Sequence, residues 1–184
     1  MLASLFFAFW FFAPAALSNV SAFFSSKLPV LRDFNQPVDA GLTFRGKRIL
    51  GSHKTIRGFV FGTFMAIIGV YIQLFLYMYV PFFHSDASIN YNEINPFILG
   101  FLLGFGALAG DAVKSFFKRQ LSIPPGKSWV PFDQVDYLVG GLFFSYFYIH
   151  LSTFQYLFLI IVWFLLHPTI SFFGYLLRLK KDPI

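Results

Sequence analysis

Five long apolar stretches dominate this chain and limit what it can fold into. Each is near the roughly 20 residues that an α-helix needs to cross the hydrocarbon core of a bilayer. Hydrophobic residues make up 57% of the 184 residues and charged residues only 12%, which leaves little sequence for a sizeable soluble domain. The sequence predicts an all-α integral membrane protein, a single domain over residues 1–184 built as a bundle of about five transmembrane helices. The expected spans are residues 2–24, 58–80, 94–117, 136–150 and 154–177.

The basic residues are confined to three segments, and this sets the expected orientation. All 14 Lys and Arg lie before the second stretch, from the end of the third stretch (Lys114) to the start of the fourth, or after the fifth. In a five-span topology these segments share one side of the membrane, which the positive-inside rule makes cytoplasmic. We therefore predict a multi-pass protein of the cell membrane with its N-terminus outside. The loops between spans one and two and spans three and four, and the C-terminus, would be cytoplasmic.

Composition also narrows the kinds of site and partner. The chain has no cysteine, which excludes disulfides, thiolate catalysis and cysteine-based zinc sites. The net charge of +6 comes from basic residues that border membrane segments. Anionic lipid headgroups and nucleotide phosphates are therefore the expected counterparts of this charge, and nucleic acid is not.

A charged cassette separates the third and fourth stretches, with the sequence GDAVKSFFKRQLSIPPGKSWVPFDQVD. Helical spacing would put Asp111, Lys114 and Lys118 on one face. Asp133 and Asp136 are three residues apart and would project together from the start of the fourth span. Ionisable groups cost about 2.5–3.5 kcal/mol each at the centre of a membrane helix, so such a cluster calls for a function. Carboxylates beside cations indicate metal-assisted chemistry on phosphates. A salt-bridged helix end and simple N-capping are the alternatives.

The loop before the second span carries a second polar segment, QPVDAGLTFRGKRILGSHKTIRGFVFG. Arg48, Lys54 and Arg57 supply cations that would close a phosphate site from the other side. The run GSHKTIRG lacks the spacing and the preceding strand of a P-loop. A basic segment held to anionic lipid beside the membrane is the alternative for this loop.

The cassette, with the DYLVGG that closes it, resembles the CDP-archaeol synthases, membrane cytidylyltransferases related to the CDP-diacylglycerol synthases. The first loop supports the same resemblance through Asp39, Gly46-Lys47-Arg48 and Lys54-Thr55-Ile56-Arg57-Gly58. Asn19 on the first span matches as well. The two motifs stand in the family's order and cover nearly the whole chain.

The resemblance implies a reaction in which CTP and a lipid phosphate give a CDP-activated lipid and pyrophosphate. The implied catalytic residues are Asp111, Lys114, Lys118, Arg119, Asp133 and Asp136. Mg²⁺ would be held by Asp133 and Asp136, with Asp111 as a further ligand. The residues expected to bind CTP are Asn19, Asp39, Arg48, Lys54 and Arg57.

Several alternatives stay open at this point. The acceptor would be unsaturated archaetidic acid in an archaeal enzyme and phosphatidate in a bacterial one. A monomer and a homo-oligomer are both compatible with the sequence. The competing function is a membrane transporter, or another non-enzymatic membrane protein with a basic cytoplasmic face.

Overall fold

A computed structural model describes residues 2–86, 89–124 and 127–176, and six α-helices account for most of them. The helices are α1 (Leu2–Phe24), α2 (Ile56–Tyr79), α3 (Pro81–Asp86), α4 (Pro96–Gln120), α5 (Phe132–Tyr146) and α6 (Thr153–Leu176). An antiparallel hairpin lies in the loop between α1 and α2 and consists of β1 (Thr43–Phe44) and β2 (Lys47–Arg48). Single turns of 3-10 helix occur at Ser25–Lys27, Pro29–Leu31 and Tyr91–Glu93.

Three of the described helices are long and apolar enough to cross a membrane: Leu2–Lys27, which extends α1 through a 3-10 turn, Ile56–Tyr79 and Pro96–Gln120. The helix α5 is shorter, with 15 residues, and a further apolar helical segment covers Thr153–Leu166. The expectation of an all-α membrane protein is confirmed, whereas the count of five spans stays a prediction.

The helix at the fourth expected span is offset from it by four residues at each end. It was expected over 136–150, but α5 runs from Phe132 to Tyr146. The chain already turns at Trp129, whose N–H donates to Asp133 Oδ2 at 2.5 Å, so the helix begins earlier. At the other end, Ile149 N–H turns back to the Ser145 carbonyl at 2.8 Å. The residues after Tyr146 are apolar and extended the predicted span past the true helix end.

The helix α4 is the central element of the bundle. It packs against α1, α2 and α5, while α6 packs against α1 and α5. Side chains tie the outer helices to their neighbours: Ser18 Oγ donates to the Gly104 carbonyl at 3.1 Å, and Trp163 Nε1 donates to the Ala8 carbonyl at 2.9 Å. Such bonds satisfy polar groups that lipid cannot.

Glycines let α4 approach two of its neighbours, α2 and α5, at backbone contact. A Cβ at Gly100 would stand 2.5 Å from Ile67 Cα on α2, and a Cβ at Gly106 would stand 2.7 Å from the Gly140 carbonyl oxygen on α5. A Cβ at Gly110 would overlap the carbonyl oxygen of Asp136. Small residues at helix interfaces permit this approach. The glycines thus bring the two halves of the charged cassette face to face.

Candidate active site

Lys114 lies at the centre of the charged cassette. Its Nζ is 3.1 Å from Asp111 Oδ1, one turn earlier on α4. It is also 2.9 Å from Asp133 Oδ1 and 2.6 Å from Asp136 Oδ2, both on α5. The Lys114 side chain is 15% exposed and that of Asp136 is 5% exposed. One ammonium group therefore joins three carboxylates across two helices.

Two further lysines complete the group. Lys118 Nζ donates to both carboxylate oxygens of Asp133 at 3.2 Å and to the carbonyl of Lys127. Lys54, from the loop before α2, forms an ion pair with Asp111. We call these six residues the carboxylate–lysine cluster: Asp111, Asp133, Asp136, Lys54, Lys114 and Lys118. Its three carboxylates are balanced by three ammonium groups.

The contacts of the cluster extend beyond both structural alternatives for the cassette, helix capping and a salt-bridged helix end. The N-cap position of α5 is Pro131 and has no side-chain cap, so capping does not explain Asp133. The Asp133 carboxylate accepts from Lys118 and from the Trp129 N–H, which precedes the helix. Because the ion pairs cross from α4 to α5 and to the first loop, they also differ from an ordinary salt-bridged helix end.

Lys54 of the first loop reaches the cluster because backbone hydrogen bonds join the two ends of that loop segment. Val38 N–H donates to the Lys54 carbonyl at 2.8 Å, and Ile56 N–H donates to the Gln36 carbonyl at 2.9 Å. Thr55 then caps α2 by accepting from the Gly58 N–H at 3.2 Å. These bonds fix Lys54 at the start of α2, which argues against a loosely lipid-bound basic segment.

Asp39 organises the same loop from inside. It is 5% exposed, and its carboxylate accepts from Arg48 Nη2 at 2.5 Å and from the backbone N–H groups of Leu50, Gly51 and Gly41 at 2.9, 3.0 and 3.1 Å. Burial alone would raise the pKa of the Asp39 carboxyl, but these donors outweigh it and hold that pKa well below its usual range. Asp39 therefore stays ionised well below neutral pH.

The arginines expected at the site have different surroundings. Arg48 pairs with Asp39, and Arg57 Nη1 donates to the carbonyls of Leu31 and Arg32, both at 3.0 Å. Arg119 has no carboxylate partner within residues 2–86, 89–124 and 127–176, and its Cδ would be 3.8 Å from a Cβ at Gly51. In the described part of the chain, Arg119 is thus a cation without a carboxylate partner beside the loop that Asp39 holds, whereas Arg48 and Arg57 are engaged in building that loop.

Two cavities border the cluster on different sides. The first, of about 440 Å³, is lined by Asn19, His53, Lys54, Thr55 and Asp111 among others. The second, of about 560 Å³, lies between α4 and α5 and has Lys114 and Asp136 in its wall. Both volumes are in the range of about 300–1,000 Å³ that is typical of small-molecule sites. Asn19, expected at the nucleotide site from the sequence, shares the first cavity with two members of the cluster.

Known proteins match this chain over nearly its whole length. A family model described as "CarS-like: CDP-archaeol synthase" matches residues 1–184. The chain belongs to the CDP-archaeol synthase family. A CDP-archaeol synthase of Thermococcus kodakarensis is 36% identical, with 99% of this chain and 98% of that protein covered. One of Pyrococcus furiosus is 37% identical, with 96% of each covered.

A solved structure gives the same answer at the level of the fold. It is described as an intramembrane enzyme for archaeal membrane lipids biosynthesis, and it superposes with a TM-score of 0.66 at 26% identity. The match covers 89% of this chain and 92% of the solved one. The resemblance to CDP-archaeol synthases is confirmed, and membership of this enzyme family decides against the transporter alternative.

A cytidylyltransferase family implies a divalent metal, and the carboxylates of the cluster are the candidate ligands for it. Carboxylate oxygens are the ligands that Mg²⁺ prefers, and three of them converge here from adjacent helices. Among the described residues, no group of three or more Asp, Glu, His or Cys side chains is arranged to hold a metal ion. The three carboxylates contact the Lys114 ammonium instead. The oxygen donors therefore suit Mg²⁺ in their chemistry, while in this arrangement they hold Lys114.

Lys47 connects the loop before α2 to the loop after α4, a contact that the sequence did not predict. Its Nζ donates to the Gln120 carbonyl at 2.6 Å and to Ser122 Oγ at 2.7 Å, so the hairpin is tied to the C-terminal end of α4. Cations are favoured at a helix C-terminus. The motif Gly46-Lys47-Arg48 drew attention to this residue. Its partner Gln120 is 73 residues away, and only the folded structure shows the contact.

Proposed function

We propose that this chain transfers the cytidylyl group of CTP to an archaeal lipid phosphate, unsaturated archaetidic acid, and releases pyrophosphate. The observation that carries the proposal is the half-buried Lys114, joined to three carboxylates between two cavities. The named relatives are archaeal CDP-archaeol synthases, which favours the ether-lipid acceptor over phosphatidate.

The reaction needs positive charge more than it needs a base. An oxygen of the lipid phosphate attacks the α-phosphorus of CTP, the new P–O bond forms, and the bond to pyrophosphate breaks. The attacking phosphate is already ionised, so no residue has to remove a proton. Negative charge spreads over several oxygens, and its stabilisation by fixed cations is the main catalytic contribution.

The cations of the site have distinct roles in this scheme. Lys114 and Lys118 are point charges beside the reacting phosphates, and both are held in place by Asp133. Arg119, which lacks a carboxylate partner in the described residues, offers a planar pair of donors to the triphosphate. The CTP phosphates occupy the cavity of Asn19, Lys54 and Asp111, and direct contacts of Asp39, Arg48 and Arg57 with CTP stay predictions.

Mg²⁺ would be held by Asp133 and Asp136, with Asp111 as a further ligand. When bound, it supplies positive charge that neutralises the phosphates and the departing pyrophosphate. The cluster as it stands is charge-balanced, so a highly anionic triphosphate needs added cations to enter. The proposal of Mg²⁺ dependence is supported by this balance and by the oxygen ligands.

We also propose five spans, with the N-terminus outside and the site at the cytoplasmic face of the cell membrane. The support is the placement of all 14 Lys and Arg in three segments that a five-span topology puts on one side. Because the chain has no cysteine, single cysteines at Asp33 and Asn92 report the topology cleanly. An impermeant reagent added from outside should label position 92 and spare position 33, and the reverse labelling would overturn the orientation.

The direct test of the function is pyrophosphate release by the purified protein in detergent with CTP and Mg²⁺. Release should require a lipid phosphate and should be faster with unsaturated archaetidic acid than with phosphatidate. Folded protein that releases no pyrophosphate with either lipid would contradict the proposal. Preference for phosphatidate would keep the reaction and change the acceptor.

A further inference from the structure

An apolar groove runs along the facing sides of α4 and α5. It has a volume of about 560 Å³, and its lining includes Val113, Phe117, Val139 and Phe143. On α4 the lining extends from Ala109 to Phe117, about 12 Å at 1.5 Å per residue. Lys114 and Asp136 are the charged residues in its wall. An apolar channel thus passes beside two members of the carboxylate–lysine cluster.

The groove faces the surroundings of the bundle. Four of its apolar side chains are more than half exposed: Val113 (57%), Phe117 (51%), Val139 (56%) and Phe143 (59%). Exposed apolar side chains on helices of a membrane protein face the hydrocarbon of the bilayer. A lipid tail can therefore enter between α4 and α5 from the side, without crossing a polar surface.

We propose that this groove holds one hydrocarbon tail of the acceptor lipid and delivers its phosphate to Lys114. The inference rests on the proposed function and adds the path by which the lipid reaches the site. A lipid phosphate joins an apolar chain to an anion, and the groove joins an apolar wall to the central cation of the cluster. The cavity with Asn19, Lys54 and Asp111 borders the same cluster and is left for CTP.

A second apolar groove on α2 offers a comparison. It has a volume of about 510 Å³ and is lined by Leu31, Phe34, Val60 and Phe64 among others. Its cation, Arg57, donates to two backbone carbonyls, and no member of the cluster is in its lining. A tail in this groove would place its phosphate away from Lys114, so the α4–α5 groove is the one that fits the acceptor.

The groove contributes orientation more than affinity. A tail that moves from lipid into an apolar groove exchanges one apolar environment for another, so it gains little from the hydrophobic effect. What the groove provides is a fixed position for the phosphate, and small misplacements at a reacting centre lower rates steeply. Blocking the groove should therefore lower kcat/KM for long-tailed acceptors and spare acceptors whose tails are too short to reach it.

Tryptophan substitutions in the groove test this inference. The variants are Val113→Trp and Val139→Trp, and the matched control is Val60→Trp, an equally apolar and 65% exposed position in the α2 groove. kcat/KM is measured with a long-tailed and a short-chain ether-lipid phosphate of the same headgroup. In the groove variants, kcat/KM should fall about tenfold or more with the long-tailed lipid and stay unchanged with the short-chain lipid. The control variant should match the wild type with both lipids.

Each other outcome contradicts a definite part of the scheme. The assignment of the groove would be overturned by any of three results: unchanged kcat/KM in both groove variants, an equal fall in kcat/KM with both lipids, or a fall confined to Val60→Trp. Wild-type protein that is inactive with both lipids would instead contradict the proposed function. A lipid phosphate with a photoreactive group in its tail adds a readout without turnover: it should crosslink to α4 or α5, and crosslinking to α2 would contradict the inference.

Discussion

Lys114 is the residue on which the site depends. Its ammonium group is the shared partner of Asp111, Asp133 and Asp136, at 2.6–3.1 Å. Without it, three carboxylates would face one another in a largely buried position, where like charges disfavour ionisation. Lys114 thus has two roles: it holds the cluster together in the absence of substrate, and in the proposed reaction it presents positive charge to a phosphate.

Replacement of Lys114 separates these two roles. Removing one partner of a buried ion pair costs about 3–5 kcal/mol, so Lys114→Met should lower the midpoint of thermal unfolding in detergent and abolish transfer. Adding Asp136→Asn removes one of the charges left unpaired. The double variant should regain part of the unfolding midpoint and none of the activity. Transfer at the wild-type rate in either variant would contradict the catalytic role of Lys114.

The carboxylates of α5 carry the metal prediction. Asp133→Asn and Asp136→Asn should each abolish Mg²⁺-dependent turnover, because a neutral amide is a weaker ligand for a hard cation. They should also reduce the thermal stabilisation that Mg²⁺ and CTP together give the protein. Asp33→Asn is the control, since Asp33 is exposed and outside the cluster. Near-normal turnover in both α5 variants would refute the metal assignment.

At the level of elements, the contact between α4 and α5 determines whether the site forms. Gly110 has no room for a Cβ, which would overlap the Asp136 carbonyl oxygen. Gly110→Ala should therefore force the helices apart and lower the free energy of unfolding by about 1–3 kcal/mol, with a loss of activity. Gly69→Ala is the control, because its Cβ would meet the flexible Leu17 side chain at 3.3 Å and Pro14 at ordinary contact distances of 3.6 and 3.7 Å. Equal unfolding midpoints for both variants would contradict this account of the helix contact.

The loop before α2 and the loop after α4 are coupled by Lys47, which caps the C-terminal end of α4. Lys47→Met should loosen the hairpin, raise KM for CTP more than KM for the lipid, and speed hydrogen exchange over residues 42–51. Arg45→Met is the control, as Arg45 is exposed and lies over the Phe44 ring. Unchanged exchange and an unchanged KM for CTP in Lys47→Met would show that the contact does not position the loop.

Much of this arrangement could be predicted from periodicity and charge. The i, i+3 spacing placed Asp111 beside Lys114, and the pair Asp133 and Asp136 came from the same rule. The partners of Lys47, Arg48 and Arg57 could not be predicted, because they are backbone carbonyls, a hydroxyl and a carboxylate brought near by the fold of the loop. The α4–α5 groove was also missed, since its shape depends on how closely two glycine-bearing helices pack.

At the scale of the whole molecule, the bundle brings together two substrates of opposite character. A cavity containing Asn19 and Lys54 lies on one side of the carboxylate–lysine cluster, and an apolar groove containing Val113 and Val139 lies on the other. This division suits a reaction between a water-soluble nucleotide and a lipid that stays in the membrane. In the proposed reaction, the cluster between them joins the α-phosphorus of CTP to the lipid.

The most direct measurement follows that phosphorus atom. The protein is incubated with Mg²⁺, unsaturated archaetidic acid, and CTP labelled with ³²P at either the α- or the γ-position, and the lipid fraction is counted. Cytidylyl transfer predicts that the α-label enters the lipid and that the γ-label leaves as pyrophosphate. Entry of the γ-label would mean phosphoryl transfer, and that result, or a lipid fraction with neither label, would contradict the account.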